Sequence, residues 1–520
     1  MVLSLESPAK NVMPRYDLLV IGGGINGAGI ARDAAGRGLK TILVEKDDLA
    51  AATSSSSSKL IHGGLRYLEQ YEFRLVAEAL SEREVLLNIA PHLVAPLRFV
   101  MPHVPELRPR WMIRAGLFFY DHLGRRAFAS SGGKNALPDS HGVDLRGSPY
   151  NSCLKPIFTN GFIYSDCRVD DARLVLANAL SARELGAEIH TRTECTRAKR
   201  VNEDWQVVLR SSVGKERAVI TRGIVNAAGP WVKTVLNDTL HQVSHDNVRL
   251  IKGSHIVVPS LYVGDHAFIL QNNDRRVVFM IPYEGCYTLI GTTDVAFDGD
   301  PSQPGVSTDE IDYLCRAVNR YLARPIDPTA IVWSYAGVRP LYDDGSANPS
   351  AVTRDYTLRL DADAGAAPVL SVFGGKITTY RKLAERAVDI LSAWYPGLRP
   401  AWTATQPLPG GDLNGLSFAE FANVQCRRKF PWLPEDICTT LARRHGNTMH
   451  RVLEGATSMS ELGQHFGANL YAREIDYMIT HEWAISGNDI LFRRTKSGLH
   501  LTPEQRQSVS DYVRNRVVNL

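Results

Sequence analysis

The sequence lacks the cysteine pattern of a disulfide scaffold or a zinc site. Its seven cysteines are an odd number, lie far apart in the chain and include no Cys-x-x-Cys pair. Disulfide-rich secreted domains and structural zinc sites both depend on closely spaced cysteines, so neither class is expected. The pattern is typical of a protein that works in a reducing compartment.

Long hydrophobic runs and targeting segments are also missing. The apolar run that begins at Leu18 is soon broken by glycines, and no other stretch approaches the ~18 uninterrupted apolar residues of a membrane span. Residues 1–16 mix charged side chains with prolines and show no export or organelle signal. We expect an N-terminal extension over residues 1–16 and a chain that does not cross a membrane.

Neither sign of charge dominates. The 520 residues include 59 Lys and Arg against 55 Asp and Glu, so no general attraction to nucleic acid is expected.

Three catalytic motifs are missing. The sequence has no P-loop and no Gly-x-Ser-x-Gly elbow, and in a His-Glu-x-x-His zinc motif beginning at His481 the second histidine is replaced by Ile485. The length of the chain predicts roughly two to four domains.

The N-terminal part of the chain has a strand, helix and strand pattern. Residues 18–21 are a short apolar run that predicts a buried parallel strand. Residues 26–37 are rich in small side chains, which suit a helix packed closely on a sheet, and residues 41–44 predict the second strand. Together these segments predict a β-α-β unit.

The turn inside this unit matches Gly-x-Gly-x-x-Gly, with Gly22, Gly24 and Gly27. Gly22 permits the turn, Gly24 lets the backbone approach a pyrophosphate, and Gly27 lets the helix pack closely on the strand. Glu45 ends the second strand, where a carboxylate can accept hydrogen bonds from both ribose hydroxyls of an adenosine and repels a 2′-phosphate. The unit predicts a bound adenine dinucleotide other than NADP, and it leaves NAD and FAD open.

A serine-rich segment follows Glu45, over residues 53–67. Serine runs are often flexible linkers, but a position between a core strand and a predicted helix at residues 68–88 favours a loop folded over a ligand. Gly63 and Gly64 allow close approach of the backbone to that ligand. The cationic residues of the segment are Lys59, His62 and Arg66.

The rest of the chain predicts a second sheet and a helical end. Residues 254–294 contain short β-rich runs separated by turns, which predict an antiparallel sheet. Residues 368–384 return to strand, glycine turn and helix, so we expect the nucleotide-binding domain to be assembled from separated pieces of sequence. Residues 395–415, rich in proline and glycine, predict a linker, and a capping box at residues 502–505 lies among the helical patterns beyond it.

On these motifs the chain resembles the FAD-dependent, respiratory glycerol-3-phosphate dehydrogenases. One signature of that family covers residues 21–38, and a second covers residues 374–384. Shorter matches lie at residues 58–67, 226–231, 253–255 and 337–340. The resemblance begins at about residue 17 and extends to the C-terminal helices.

The resemblance implies an α/β fold with three parts. A Rossmann-like FAD-binding domain and an antiparallel-sheet substrate domain, arranged as in glutathione reductase and D-amino-acid oxidase, form an FAD-dependent oxidoreductase region, and a C-terminal all-α domain follows. The oxidoreductase region is predicted at residues 17–398 and the all-α domain at residues 399–520. Within the oxidoreductase region, the FAD-binding domain is predicted at about 17–100, 165–240 and 340–398, and the substrate domain at about 101–164 and 241–339.

The family also implies a reaction and a location. The reaction is oxidation of sn-glycerol 3-phosphate to dihydroxyacetone phosphate, with electrons passing through FAD to a membrane quinone. The location is cytoplasmic and peripheral on the inner face of the cell membrane, with no nucleic-acid partner and with a homodimer left open.

Residues 108–120 combine cationic and aromatic side chains, which predicts either a helix in the membrane interface or a buried core helix.

Three alternatives remain open beside this reading: an oxygen-using glycerol-3-phosphate oxidase, an FAD-dependent amine or amino-acid oxidase, and a non-catalytic flavin-binding protein.

Oxidation of an alcohol needs a base for the hydroxyl proton, and a neutral histidine suits that task near pH 7. The resemblance points to His255 as this base. Arginine can bind phosphate through two parallel hydrogen bonds, although Arg354 is equally well explained by a surface ion pair.

The resemblance supplies the candidate site residues. The predicted catalytic residues are His255, Arg339, Lys376 and Arg66, and the predicted substrate-binding residues are Arg66, Tyr67, His255, Arg339, Arg354 and Lys376. The predicted cofactor-binding residues are Gly22, Gly24, Asn26, Gly27, Glu45, Ser57, Ser58, Lys59, His62, Gly63, Ala228, Gly375, Lys376, Ile377 and Thr378. A helix expected from about residue 378 would direct its positive end towards the flavin.

Overall fold

The computed structural model describes residues 13–131, 137–242, 247–274, 276–343, 355–362 and 366–519. Within these ranges the strands are β1 Arg15–Ile21, β2 Thr41–Val44, β3 Leu60–Ile61, β4 Val94–Pro102, β5 His141–Asp144, β6 Asn160–Val169, β7 Glu188–His190, β8 Thr193–Val201, β9 Asp204–Ser211, β10 Glu216–Asn226, β11 Val248–Pro259, β12 Ala267–Gln271, β13 Val277–Tyr283, β14 Tyr287–Gly291, β15 Val295–Ala296, β16 Trp333–Tyr342, β17 Thr357–Asp361, β18 Val369–Phe373, β19 His465–Gly467 and β20 Leu470–Tyr471. The helices are α1 Ile25–Gly36, α2 Phe73–Ile89, α3 Arg110–Ser131, α4 Asp171–Glu184, α5 Val232–Thr234, α6 Thr308–Asn319, α7 Tyr380–Leu391, α8 Phe418–Glu420, α9 Cys426–Lys429, α10 Glu435–His445, α11 Met449–Val452, α12 Ala472–His481 and α13 Pro503–Val518.

The first sheet is built around β1, which lies between β10 and β2 and runs parallel to both. The parallel strands follow the order β18-β10-β1-β2-β7. β17 pairs antiparallel with β18, and the antiparallel strands β8 and β9 extend one end of β10. α1, α4 and α7 pack together over one face of the parallel strands, and apolar side chains of β8 and β9 pack on the other face, so both faces are covered as a parallel sheet requires. The predicted β-α-β unit is confirmed, with its helix displaced by one residue.

The second sheet is antiparallel except where β4 meets β12, among the strands described. Its order is β15-β11-β14-β13-β12-β4-β6-β3, and β16 pairs with β11 along ten residues. The antiparallel sheet expected from residues 254–294 is therefore confirmed. β4 and β6 also belong to it, although each crosses a boundary predicted between the two domains. They pair with each other along their length, so both enter the same sheet.

The C-terminal part is helical as expected, apart from the short hairpin of β19 and β20. The segment at residues 395–415 has no regular element, but it is not the free linker that its composition predicts. Arg32 Nη2 donates to the Gln406 carbonyl at 2.8 Å. The Trp402 ring packs so closely on Gly36 that a Cβ there would lie 2.1 Å from the ring. The segment is thus fastened to α1.

Candidate functional site

The glycine turn joins the end of β1 to the start of α1. Gly22 has a φ of +111°, and a Cβ there would lie 2.5 Å from the Ala227 carbonyl oxygen. A Cβ on Gly27 would lie 1.9 Å from the Gly22 carbonyl oxygen, so no side chain fits at either position. Gly24 differs, because a Cβ there would meet only Ser54 Oγ, at 3.1 Å. The backbone at Gly24 therefore faces open space beside the first turn of α1.

Glu45 lies beside this turn, at the end of β2. Its Oε2 accepts a hydrogen bond from the Gly23 backbone N–H at 2.6 Å, and its Oε1 accepts one from Asp47 at 2.8 Å. Burial raises the pKa of the carboxyl group. The acid thus braces the turn and also lines the cavity in front of it.

That cavity is a cleft between the two sheets with a volume of about 470 Å³, within the range of ligand sites. Most of the predicted site residues line it, although they come from five separate parts of the chain. These lining residues are Gly22, Gly24, Asn26, Glu45, Ser57, Ser58, His62, Tyr67, Ala228, His255, Arg339, Gly375, Lys376, Ile377 and Thr378. Gly27, Lys59 and Gly63 lie outside the lining. Arg354 and the side chain of Arg66 lie outside the described residues.

The position of Lys59 corrects the predicted cationic cluster. Its ammonium group is buried, pairs with Asp171 Oδ2 at 2.8 Å and donates to the Ser55 carbonyl. Ser57 Oγ donates to the same carboxylate at 2.7 Å. The Lys59 side chain therefore holds the serine-rich loop against the start of α4, and its ammonium group is paired with an acid 112 residues further along the chain.

The end of the serine-rich loop is also held by a hydrogen bond to a buried side chain of α3. The Gly63 backbone N–H donates to Tyr120 Oη at 2.8 Å, and this buried hydroxyl donates to Asp166. Gly63 cannot carry a side chain, because a Cβ would lie 2.7 Å from the same hydroxyl. The helix predicted at residues 68–88 begins later, at Phe73, because a 3₁₀ helix over Leu65–Gln70 precedes it.

The two long signatures of the sequence meet at Asn26. Its Nδ2 donates to the Gly374 carbonyl at 3.1 Å, and its Oδ1 is buried without a protein partner among the described residues. Gly374 and Gly375 have φ values of +73° and +97°, which form the tight turn after β18. A 3₁₀ turn over Ile377–Thr379 leads into α7, two residues later than the helix start expected.

His255 lies on β11 and is 3% exposed. Its Nε2 lies 2.9 Å from Ser58 Oγ, its ring stacks on Tyr335 with centroids 4.8 Å apart, and its Nδ1 has no hydrogen-bond partner in the described part of the chain. Burial, followed by the positive charges of Lys59 and Arg339, lowers the pKa of His255 to about 3. The imidazole is therefore neutral at physiological pH and able to accept a proton.

Two cationic side chains share the cleft with His255. The Arg339 guanidinium donates to the Thr293 carbonyl at 3.1 Å and pairs with Asp294. The Lys376 ammonium lies 3.9 Å from the centroid of the Tyr67 ring. A cleft with two cations beside a neutral histidine suits a ligand that carries both an anionic group and an ionisable hydroxyl.

Sequence reasoning missed Asp171, Tyr120, Tyr335 and Asp294. Each supports a predicted residue from another part of the chain, and none lies in a motif that carries the resemblance. Asp294 alone carried a local signal, since it follows the strand pattern of residues 287–293 directly. The other three depend on pairings between distant segments, which no spacing in the sequence reveals.

The donor set of the cleft fits a dinucleotide rather than a metal ion. Gly24 presents open backbone, Glu45 presents a carboxylate, and Asn26 has a buried oxygen without a protein partner. Among the residues that the structure describes, no group of three or more His, Cys, Asp or Glu side chains is arranged to hold a metal.

Comparison with known proteins agrees with this reading. Residues 17–381 match the family described as FAD dependent oxidoreductase, and residues 401–514 match the C-terminal domain of alpha-glycerophosphate oxidase. A glycerol-3-phosphate dehydrogenase of Pseudomonas aeruginosa is 53% identical over 510 residues, which cover 98% of this chain and 97% of that protein. A D-erythritol 1-phosphate dehydrogenase of Brucella abortus is 51% identical, over 96% of this chain and 98% of that protein. The solved glycerol-3-phosphate dehydrogenase from Bacillus halodurans, complexed with FAD, has a TM-score of 0.73 at 27% identity and covers 96% of this chain and 94% of that chain.

Proposed function

Because the chain belongs to the FAD dependent oxidoreductase family, we propose that it oxidises sn-glycerol 3-phosphate to dihydroxyacetone phosphate. The match to the P. aeruginosa glycerol-3-phosphate dehydrogenase, over nearly the whole of both chains, supports this substrate. The observation that carries the proposal is the shared cleft of His255, Arg339 and Lys376. A secondary alcohol that bears a phosphate needs a base and fixed cations close together.

The cofactor of the chain is FAD, which supplies the acceptor for the hydride that leaves the carbinol carbon. The backbone at Gly22 and Gly24 would hold the pyrophosphate, and Glu45 would accept the hydrogen bonds of the ribose. The other lining residues that we assign to the cofactor are Asn26, Ser57, Ser58, His62, Ala228, Gly375, Lys376, Ile377 and Thr378. Gly27 acts behind them by letting α1 approach β1.

His255 would accept the hydroxyl proton, with its ring oriented by Ser58 and Tyr335. With a pKa of about 3 the ring is neutral but weakly basic. A phosphate dianion beside the ring favours the protonated form and raises this pKa towards the working pH, where a general base is most effective. Substrate binding would therefore activate the base. Arg339, Lys376 and Arg66 would bind the phosphate, and Tyr67 and Arg354 would complete the substrate pocket.

The proposal is tested by anaerobic mixing of the FAD-loaded protein with candidate substrates while the flavin absorbance is followed. We expect fast bleaching by glycerol 3-phosphate and slow or no bleaching by glycerol and by amino acids. D-erythritol 1-phosphate belongs in the series because the Brucella relative is named for it. Faster bleaching by an amino acid, or a flavin inert to every compound, would reject the proposed reaction.

A membrane surface is the second part of the proposal. Helix α3 buries Ile113 and Leu117 in the core, as the buried-helix interpretation of residues 108–120 expects, and it exposes an aromatic face on which we base the proposed membrane contact. On that face Trp111 is 71%, Phe118 61% and Phe119 52% exposed. An amphipathic helix with such a face suits shallow insertion between lipid headgroups. Among the described helices, none is long and apolar enough to cross a bilayer.

We expect the double variant Phe118→Ser and Phe119→Ser to lose most of its binding to vesicles that contain anionic lipid, measured by flotation. The physical reason is the lost burial of two aromatic side chains. Val263→Ser, which changes an exposed apolar side chain in a turn elsewhere, should bind as the unaltered protein does. Equal flotation of the double variant, still folded and FAD-loaded, would remove α3 from the membrane contact.

We propose a membrane quinone as the electron acceptor, and the inner face of the cell membrane as the place where the enzyme acts. A surface that binds lipid brings the reduced enzyme to the phase in which a quinone dissolves. Rapid oxygen consumption with glycerol 3-phosphate, unaffected by added quinone, would favour an oxidase instead. Sedimentation in detergent would test a homodimer.

A further inference from the structure

A buried carboxylate lies directly behind the cleft wall. Glu310, in the first turn of α6, is 5% exposed and does not line the cleft. Its Oε2 caps the helix by accepting a hydrogen bond from the Ser307 backbone N–H at 3.1 Å, and it also lies 2.8 Å from Nζ of Lys252, on β11. Its Oε1 serves the cleft wall: it accepts hydrogen bonds from Ser254 Oγ at 2.8 Å and from Thr293 Oγ1 at 2.9 Å.

The partners of Oε1 are linked to both sides of the proposed reaction site. Ser254 directly precedes His255 on β11, and its backbone N–H donates to Thr293 Oγ1 at 2.9 Å. The Thr293 carbonyl accepts the hydrogen bond from Arg339, and the next residue, Asp294, pairs with the same guanidinium. One unbroken chain of contacts therefore runs from Glu310 to the histidine and to the arginine.

The carboxylate at the centre of this chain is ionised. Burial raises the pKa of Glu310, but the hydrogen bonds from its four partners outweigh burial and hold that pKa below the ordinary value. Hydrogen bonds to an ionised acceptor are shorter and stronger than neutral ones. A buried network in which every member has a partner favours a single arrangement of its strands.

We propose that Glu310, acting through Thr293, is a positioning residue that holds His255 and Arg339 at the separation which the reaction needs. The inference rests on the proposed function, which assigns these two groups to the base and to the phosphate. Neither Glu310 nor Thr293 lines the cleft, so their effect passes through the strands. Thr293 binds Oε1 and Ser307 binds Oε2, so substitutions at these two residues separate the positioning role from the capping of α6.

Thr293→Val tests the role, because it removes the hydroxyl and keeps the shape of the side chain. In the FAD-loaded protein we expect about a tenfold weaker affinity for glycerol 3-phosphate, as for a lost hydrogen bond to a charged group, together with slower flavin reduction. Thr293→Ser keeps the hydroxyl and should restore both. Ser307→Ala removes the cap on the Oε2 side; it should lower the thermal midpoint and leave affinity and rate unchanged.

A readout without substrate separates this proposal from the proposed function. The ring nitrogens of His255, labelled with ¹⁵N and assigned by their loss in His255→Asn, should shift in Thr293→Val and return in Thr293→Ser. If these shifts occur but glycerol 3-phosphate never bleaches the flavin, positioning stands and the proposed reaction fails. If the unaltered enzyme reacts and Thr293→Val matches it in affinity, rate and ring signals, the positioning role is overturned.

Discussion

At the residue scale, the surroundings of His255 determine how it can act. The ring lies between Tyr335 and the serine-rich loop, and Lys59 Nζ lies 5.0 Å from the centroid of the same tyrosine ring. Burial does most to lower the pKa of His255, and the positive charge of the nearby Lys59 ammonium adds to that effect, so the ring stays unprotonated. A neutral base requires no deprotonation before the substrate binds, and a dianionic substrate would strengthen it once bound.

We expect His255→Ala to slow anaerobic flavin reduction by glycerol 3-phosphate by about 10²–10⁴-fold, which is the usual contribution of a general base. Stopped-flow absorbance measures this rate directly. His266→Asn is the matched control, because His266 is another buried histidine of the same sheet region but lies outside the cleft lining. A rate for His255→Ala within a few-fold of the unaltered enzyme would exclude His255 as the base.

At the element scale, the contact between β1 and α1 depends on a missing side chain. The Gly22 carbonyl occupies the space that a Cβ of Gly27 would need. Any side chain at Gly27 must therefore push the helix away from the strand and displace the backbone of the turn. The same displacement moves the open backbone at Gly24, on which pyrophosphate binding depends.

Gly27→Ala should yield protein with little bound FAD and a lower thermal midpoint, because the turn cannot keep its shape. Flavin content after denaturation and a thermal melt measure the two effects. Gly116→Ala is the control, since it also adds a methyl group to a helix but meets no atom within 4 Å. It should bind FAD normally and gain up to about 1 kcal/mol in helix stability. Full FAD occupancy in Gly27→Ala would contradict the packing argument.

At the scale of the whole molecule, a buried ionic network fastens the C-terminal helical part to the first sheet. Asp48, three residues after Glu45, accepts hydrogen bonds from Arg192, Arg493 and Arg494. Asp489 binds two of the same guanidinium groups. The segment that carries Glu45 is therefore held in place by residues almost 450 positions away, so the two parts should unfold together.

Asp48→Asn should lower the free energy of unfolding by about 3–5 kcal/mol at pH 7, because it leaves buried guanidinium charge uncompensated. Burial raises the pKa of Asp48, but the arginines outweigh it and bring the pKa from 3.8 to about 2. The pH-dependent part of the stabilisation is therefore complete above about pH 4 and lost as the pH falls towards 2, so the difference between the two proteins should shrink in acid. Urea titrations at several pH values measure this.

The exposed pair of Arg15 and Asp204 provides the control for that measurement. Its arginine side chain is 56% exposed, so Asp204→Asn should cost no more than about 1 kcal/mol. A loss for Asp48→Asn as small as the loss for Asp204→Asn would show that the network does not hold the two parts together.

The sequence alone was enough to predict the glycine turn, the acid at the end of β2, the β-α-β unit, the antiparallel sheet and a bound adenine dinucleotide, which the family resemblance identified as FAD. These features depend on local patterns, because a tight turn needs glycine and a buried strand needs a short apolar run. The resemblance placed most of the candidate residues, and the cleft brings them together. Their individual roles stay predictions.

Only the tertiary structure decided that Lys59 pairs with Asp171 and that residues 395–415 are fastened to α1. It also decided that β4 and β6 join the second sheet, and that Glu310 lies behind the cleft wall that carries His255 and Arg339. Each of these features joins segments that are distant in the chain. Such contacts depend on which strands become neighbours in a sheet, and that pairing is a property of the whole packed core, which no local pattern of residues contains.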